Sequence, residues 1–228
     1  MKTVAIIPAA GSGARMGATM KKQFLLLGGK PLLAHTALNV ASCKQIDAII
    51  LVAPGDELDN CQSEIVEKYK IDKVILVIEG GLTRNESVSI GFDNLPGGTD
   101  YVLVHDGARP FVTERMVNDV IALSQKYGAA TVAIRVVDTL KKVKEGIIQS
   151  SMSRDDVVRI QTPQCFRRDV LQHGLATASR AGLVNTDESS IVERLGLDVH
   201  IAEGSETNIK ITTYDDLKIA EALLGMYS

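Results

Sequence analysis

Little in this sequence favours a nucleic-acid partner. Of 228 residues, 25 are Lys or Arg and 28 are Asp or Glu, a net charge of −3. Nucleic-acid binders usually carry a basic excess. Any phosphate chemistry must therefore rest on a few placed cations. Cysteine is scarce and odd in number, at 43, 61 and 165. With no CxxC or Cys/His spacing, neither a disulfide framework nor a zinc site is expected. No stretch approaches the roughly 18 apolar residues of a membrane helix. The apolar run after Met1, Lys2 and Thr3 ends at Pro8, too early for a secretory leader. A cytoplasmic protein with no membrane partner is expected. Repeats, low-complexity tracts and an interdomain linker are also missing, so one domain is expected over 1–228.

What is present is an ordinary globular composition, 45% apolar and 23% charged. Strand-length apolar runs recur at 4–7, 48–53, 74–78, 101–104 and 131–136. Most are continuous instead of alternating, which suits strands buried on both faces of a parallel sheet. Between them lie candidate helices at 31–42, 55–69, 84–95 and 113–127. Thr113 can cap the last of these and Gly128 can end it. The alternation predicts an α/β fold, a Rossmann-like, mostly parallel sheet flanked by helices.

The pattern changes at 138–158. Leu140, Lys141, Lys142 and Val143, a turn at Glu145 and Gly146, then Ile147, Ile148 and Gln149 read as a protruding β-hairpin arm. Such a hairpin has no core of its own and usually packs on something, often a second subunit. The alternative is a surface excursion of a monomer. Helices are expected at 168–181 and 187–195, strands at 199–202 and 209–212, and a last helix from Thr213.

The first strand leaves through Pro8, Ala9, Ala10, Gly11, Ser12, Gly13, Ala14, Arg15 and Met16. Small residues let the backbone approach a ligand, and consecutive amides can cradle an anion. Two familiar motifs fail. A dinucleotide fingerprint needs a third glycine where Met16 stands, and a Walker loop needs a different spacing to its lysine. The loop alone could be a tight turn with no ligand. Arg15, Lys22 and Lys30 change the balance. Each could be a solvated surface charge, but cations flanking a glycine-rich loop are what a reacting triphosphate needs.

Further motifs follow: Lys22 with Gln23; Gly29, Lys30 and Pro31; His105 through Pro110; Asp138 with Thr139; Thr162, Pro163 and Gln164; Thr186, Asp187 and Glu188; and Asn208, Ile209 and Lys210. In this order they resemble the 2-C-methyl-D-erythritol 4-phosphate cytidylyltransferase family, from about residue 3 to the C-terminal helix. The resemblance implies transfer of CMP from CTP to that polyol phosphate, with release of pyrophosphate. It implies Arg15 and Lys22 as transition-state stabilisers, and Ala9, Ala10 and Gly11 as backbone contacts to the nucleotide. Gly81 and Ser87 would face the cytosine. Asp106 and Arg109 would help hold the ribose and the polyol. Thr139, Arg154 and Lys210 would hold the substrate phosphate, with Thr162 and Thr186 also in the substrate set. Arg154 and Lys210 also count among the catalytic positions. The arm, carrying Thr139 and Arg154, would reach into the partner of a homodimer. Mg²⁺ or a similar divalent cation is expected as cofactor, with no protein ligand assigned.

Two places depart from the family. Lys21 stands where it commonly has proline, and Leu82 where it is often acidic, so Leu82 is given no role. The alternatives are a cytidylyltransferase for another polyol phosphate, such as ribitol 5-phosphate, and a nucleotide-binding module or NAD(P)-dependent reductase. Ala108 favours methylerythritol phosphate over ribitol phosphate. Ala53 and Pro54, where a reductase carries an acidic residue, disfavour the other class. A phosphate monoester is largely dianionic at neutral pH, so its oxygen needs little help from a general base. Hence the site list is rich in Arg and Lys, and no Ser or Cys nucleophile pairs with His35, His105, His173 or His200.

Overall fold

In a computed structural model, which describes residues 1–11, 21–181 and 186–227, the apolar runs become neighbouring strands. The elements are, in chain order, β1 (Thr3–Pro8), β2 (Leu26–Leu27), β3 (Lys30–Pro31), α1 (Leu32–Ser42), β4 (Ala48–Ala53), α2 (Leu58–Cys61), β5 (Val74–Glu79), α3 (Arg84–Asp93), β6 (Tyr101–Val104) and α4 (Glu114–Tyr127). Then follow β7 (Ala129–Arg135), β8 (Leu140–Lys144), β9 (Ile147–Met152), β10 (Val158–Arg167), α5 (Arg168–Arg180), α6 (Glu188–Arg194), β11 (His200–Glu203) and α7 (Tyr214–Tyr227). The central sheet has the order β11-β7-β10-β6-β1-β4-β5. Every pairing in it is parallel except those of β10.

The continuous apolar runs are explained by burial on both faces. Along β1, Ala5 and Ile7 pack with Ile49, Leu51, Leu33 and Val117 on one side. Val4 and Ile6 pack with Ile50, Val52, Val88 and Phe92 on the other. Helices therefore cover both sides, α1 and α4 on the first, α3 and α5 on the second. Thr113 caps α4 through the amide of Met116, and Gly128 closes it with φ 96°, the left-handed conformation that glycine takes at least cost.

Three expectations need correction. Residues 55–69 are helical but mixed, with a 3-10 turn at Gly55–Glu57, α2, then a π-helical stretch at Gln62–Glu67. Residues 209–212 form no strand. Asn208 anchors this segment from one end and Ile211 donates one backbone hydrogen bond to Ala108, while Ile211 is buried beside Leu27, Leu32 and Ala220. Ile211, buried, and Ile209, partly buried, produced the strand-like pattern. The long strand β10 went unseen because its buried positions include Gln161, Thr162 and Gln164, and polar residues and a proline break the apolar period.

The chain runs from β1 outward to β4 and β5, then returns to place β6 on the other side of β1. The strand order thus switches direction between β1 and β6, and ligands of open α/β sheets bind beyond the carboxyl ends of strands at such a place.

Candidate active site

A cavity of about 290 Å³ lies there. Its floor is the start of the loop after β1, including Ala9, Ala10 and Gly11. One wall is the β5–α3 loop with Gly81 and the first turn of α3 with Arg84 and Ser87, and another carries Asp106 and Lys210. The walls can close because small residues meet. A Cβ on Gly80 would come 2.4 Å from the Ala10 Cβ and 2.7 Å from the Ser87 Oγ, so any other residue would push the two loops apart. Thr83 caps α3 in a reciprocal pairing with Glu86, which fixes where the wall turns into helix.

Asp106 organises the cations. Its Oδ1 accepts from the Arg84 Nε at 2.8 Å, its Oδ2 pairs with the Lys210 Nζ at 2.7 Å, and the Arg109 Nε lies 3.8 Å from Oδ2. Arg84 forks, donating through Nη1 to Glu188 at 2.7 Å. Burial raises the Asp106 pKa, but Arg84 and Lys210 outweigh it and hold the carboxyl well below the usual range. Burial likewise pushes Glu188 up, against the pull of Arg84. Burial would lower Arg84, yet Glu188 and Asp106 raise it further. Three cations thus face two carboxylates, a surplus of positive charge suited to an anionic ligand.

The backbone that carries Asp106 is held by a one-way chain of hydrogen bonds. The Asp106 amide donates to the Thr162 Oγ1 at 3.0 Å. That hydroxyl lies 3.1 Å from the His105 Nδ1, and the His105 Nε2 lies 3.0 Å from the Arg109 carbonyl oxygen. A carbonyl can only accept, so Nε2 carries the proton, and Nδ1 accepts from the Thr162 hydroxyl when the ring is neutral. Burial keeps it neutral, lowering the His105 pKa from 6.5 to about 4. A depressed histidine stabilises the fold above the unfolded-state value, and the gain is lost as pH falls from 6.5 toward 4. Between pH 7 and pH 5 His105 should remove about 2 kcal/mol of stability. Urea unfolding at the two pH values should show this, and His105→Gln should flatten the slope by about one proton. An unchanged slope in the variant would refute the neutral, buried role.

Most of the candidate residues lie among the described ones. Ala9, Ala10, Gly11, Gly81, Ser87, Asp106 and Lys210 all line the cavity. Arg109 stands behind Asp106, its Nη1 donating to the Asn208 carbonyl oxygen at 2.7 Å. Thr162 is buried and serves the Asp106 backbone. Thr186 is exposed at the entry to α6. Arg15 lies outside the described residues, as do the side chain of Lys22 and the loop residues 12–16. Lys21, its neighbour, is paired with Asp56 and lies 3.9 Å from Glu57. Lys30 sits 5.4 Å from the Tyr69 ring instead of in the cavity. Thr139 and Arg154 are exposed on the arm and do not line the cavity of their own chain, Arg154 donating to the Val137 carbonyl. Leu82 is 99% exposed at the rim.

Sequence reading missed Arg84 and Glu188 as site residues and Gln164 as their support. The buried Gln164 accepts from the amides of Glu188 and Ser189 at 3.2 Å and donates to Asp187 at 2.7 Å. It thereby ties β10 to the start of α6. Arg84 and Glu188 stood within or beside quoted motifs, but nothing in their spacing reveals a pairing across 104 residues.

Among the described residues Asp106 is the one carboxylate lining the cavity, and both its oxygens are engaged by cations. Among the described residues no cluster of three His, Cys, Asp or Glu could hold a metal. This donor set suits a cation carried in on phosphate oxygens with its waters, the usual habit of Mg²⁺, and not one caged by the chain.

The sequence model of the 2-C-methyl-D-erythritol 4-phosphate cytidylyltransferase family matches residues 3–226. A protein of that name from Clostridium novyi is 40% identical over 224 residues, covering 98% of this chain and 96% of its own. Another from Bacillus mycoides is 42% identical over 219 residues, covering 96% of each. Among solved structures, the 4-diphosphocytidyl-2C-methyl-D-erythritol synthase of Anaerococcus prevotii superposes with a TM-score of 0.85 at 32% identity, covering 98% of each chain. The 2-C-methyl-D-erythritol 4-phosphate cytidylyltransferase of Thermus thermophilus gives 0.82 at 32%, again over 98% of each.

Proposed function

The chain belongs to the 2-C-methyl-D-erythritol 4-phosphate cytidylyltransferase family, and from that premise we propose how its residues divide the work. It is a nucleotidyltransferase of the non-mevalonate pathway, moving CMP from CTP to 2-C-methyl-D-erythritol 4-phosphate with release of pyrophosphate. The observation that carries the residue assignments is the cation cluster around Asp106 beside the small-residue floor.

The nucleotide lies over Ala9, Ala10 and Gly11, with its base toward Gly81 and Ser87. The substrate phosphate, already dianionic, attacks the α-phosphorus of CTP. The protein's task is to bring two anions together and to stabilise the charge that builds as pyrophosphate leaves. Arg15 and Lys22 act on that charge. Lys21 is occupied by Asp56, which favours Lys22 as the lysine that serves the site. Lys210 holds the substrate phosphate, and Asp106, backed by Arg109, aims it. Thr162 and Thr186 complete the substrate side, Thr162 through the backbone of Asp106. A divalent cation such as Mg²⁺ supplies charge neutralisation on the triphosphate when bound.

The arm completes the site from a second copy. Among the described residues strands β8 and β9 pair only with each other, and β9 is exposed throughout. Val143, Ile147 and Ile148 are each about 60% exposed. A lone two-stranded ribbon is marginal in water, and these apolar side chains suit burial in a homodimer. Thr139 and Arg154 then reach the partner's cavity and hold the substrate phosphate there. Residues 1–228 act as one nucleotidyltransferase domain carrying this arm. Among the described residues no helix is long and apolar enough to cross a membrane. The three unpaired, buried cysteines suit a reducing compartment, so we place the enzyme in the cytoplasm.

Arg154→Ala should raise KM for the polyol phosphate about tenfold while CTP affinity stays near wild type. In mixed dimers of Arg154→Ala with Lys22→Ala, one of the two sites is intact and activity should reappear. No recovery on mixing would remove the shared site.

A further inference from the structure

Glu188 is fully buried on α6 and does not line the cavity, yet it ends a charge chain that enters it. The links run Glu188 Oε1 to Arg84 Nη1 at 2.7 Å, Arg84 Nε to Asp106 Oδ1 at 2.8 Å, and Asp106 Oδ2 to Lys210 Nζ at 2.7 Å. We propose that Glu188 is a positioning residue that acts through Arg84 and Asp106 to aim the ammonium of Lys210. The proposal rests on the assignment of Lys210 to the substrate phosphate.

A planar guanidinium bound at Nε and Nη1 cannot turn without breaking one bond. Glu188 therefore sets the plane of Arg84. Arg84 in turn fixes one oxygen of Asp106, which directs the other toward Lys210. Lysine is a flexible point charge with no preferred direction of its own. Its side chain here is 36% exposed, so the carboxylate contact is what orders it. Without Glu188, Arg84 would keep a single anion, Asp106, and could draw both carboxylate oxygens away from Lys210.

The anchor of the chain is itself rigid. Glu188 begins α6, and its backbone amide donates to the fully buried Gln164 Oε1. Gln164 lies on β10, the same strand whose Thr162 holds the amide of Asp106. The far end of the chain is tied to that strand too. Asn208 donates to the Thr162 carbonyl oxygen at 2.9 Å, two residues before Lys210. One strand thus references the carboxylate at the start, the carboxylate in the middle and the lysine at the end. Sharing a single strand as reference is what a positioning device needs. A buried ion pair kept for stability alone has no such requirement, since well-packed neutral residues often serve as well.

The test is a double-mutant cycle on the intact enzyme with Glu188→Gln, Lys210→Gln and the pair. KM for the polyol phosphate, kcat, the CTP dissociation constant and Tm are read for each. Glu188→Gln should raise KM for the polyol phosphate about tenfold with CTP binding within about twofold of wild type. Lys210→Gln should do the same. The pair should be near tenfold as well, because both changes disable one device. A product near a hundredfold would mean independent effects and would overturn the proposal. So would a Glu188→Gln enzyme with lowered Tm and wild-type KM, the result of a purely structural role. Should Glu188→Gln fail to fold, Arg84→Lys enters the same cycle. It keeps the charge but cannot fork, and the same non-additivity with Lys210→Gln is expected. An unchanged KM in Lys210→Gln alone would remove the parent assignment of Lys210, a failure separable from additivity.

Discussion

Arg15→Ala and Lys22→Ala should each lower kcat by about a thousandfold while CTP affinity changes by less than tenfold. The magnitude follows from the chemistry. The nucleophile arrives as a dianion, so little of the barrier is proton transfer. What remains is negative charge gathering on the α-phosphate oxygens and the leaving pyrophosphate. Removing one preorganised donor from such a charge typically costs about a hundred- to a thousandfold. A single cation supplied to a phosphoryl transition state can matter more still. In the proposed binding mode the ground-state triphosphate keeps its other contacts along Ala9, Ala10 and Gly11, so binding should suffer much less than rate. Steady-state kinetics with calorimetry for CTP separates the two. Variants with near-normal kcat, or a loss of binding as large as the loss of rate, would take these residues out of the transition-state role. Lys21→Ala is the control, since its charge is already matched by Asp56, and its kcat should stay within about threefold.

Replacing Asp106 by alanine should cost about 3 kcal/mol of stability, or roughly 10 °C in Tm for a domain of this size. Three cations converge on this carboxylate. Glu188 would remain to compensate only Arg84. Breaking a buried charge cluster is expensive chiefly because the partners stay behind. The pH dependence fixes the sign. Asp106 titrates well below its ordinary value of 3.8, so its contribution is complete above that value and disappears as pH falls through the folded-state value. The gap between wild type and Asp106→Ala should therefore be wide at pH 7 and narrow below pH 4. A gap that is constant with pH, or a Tm loss under 2 °C, would contradict the electrostatic account. KM for the polyol phosphate should also rise about tenfold, as in Lys210→Gln, because Lys210 loses the carboxylate that directs it.

How much of this was legible in the sequence depends on the kind of residue. Doubly buried strands announce themselves, since nothing but apolar side chains can occupy both faces of β1 or β4. Their runs located five strands and hence the carboxyl edge on which the cavity sits. The arm was legible for the opposite reason. Its Lys-rich strand β8 and the turn at Glu145 and Gly146, both with positive φ, offered no core. Strand β10 was hidden because it buries polar groups that support the site. Gln164 braces α6 and Thr162 braces Asp106, so function had overwritten the periodicity. The stretch 209–212 misled in the converse way. Ile211 is buried and Ile209 partly so, but in a strand-free segment held by Asn208.

The site divided along similar lines. Small residues expected to approach a ligand, such as Ala9, Ala10 and Gly81, were named from the sequence and do line the cavity. Asp106 and Lys210 were visible too. Arg84 and Glu188 acquire their meaning only by meeting each other across 104 residues, and no local pattern encodes that contact. Thr139 and Arg154 show a further limit. They stand on the arm outside the cavity of their own chain, and the work proposed for them belongs to a pair of chains.

Pyrophosphate release distinguishes the candidate reactions directly. Purified protein is given CTP, Mg²⁺ and either 2-C-methyl-D-erythritol 4-phosphate or ribitol 5-phosphate, and pyrophosphate release is followed. The account predicts rapid release with methylerythritol phosphate, little with ribitol phosphate, and little when ATP or GTP replaces CTP. Faster release with ribitol phosphate, or none with either polyol, would contradict it.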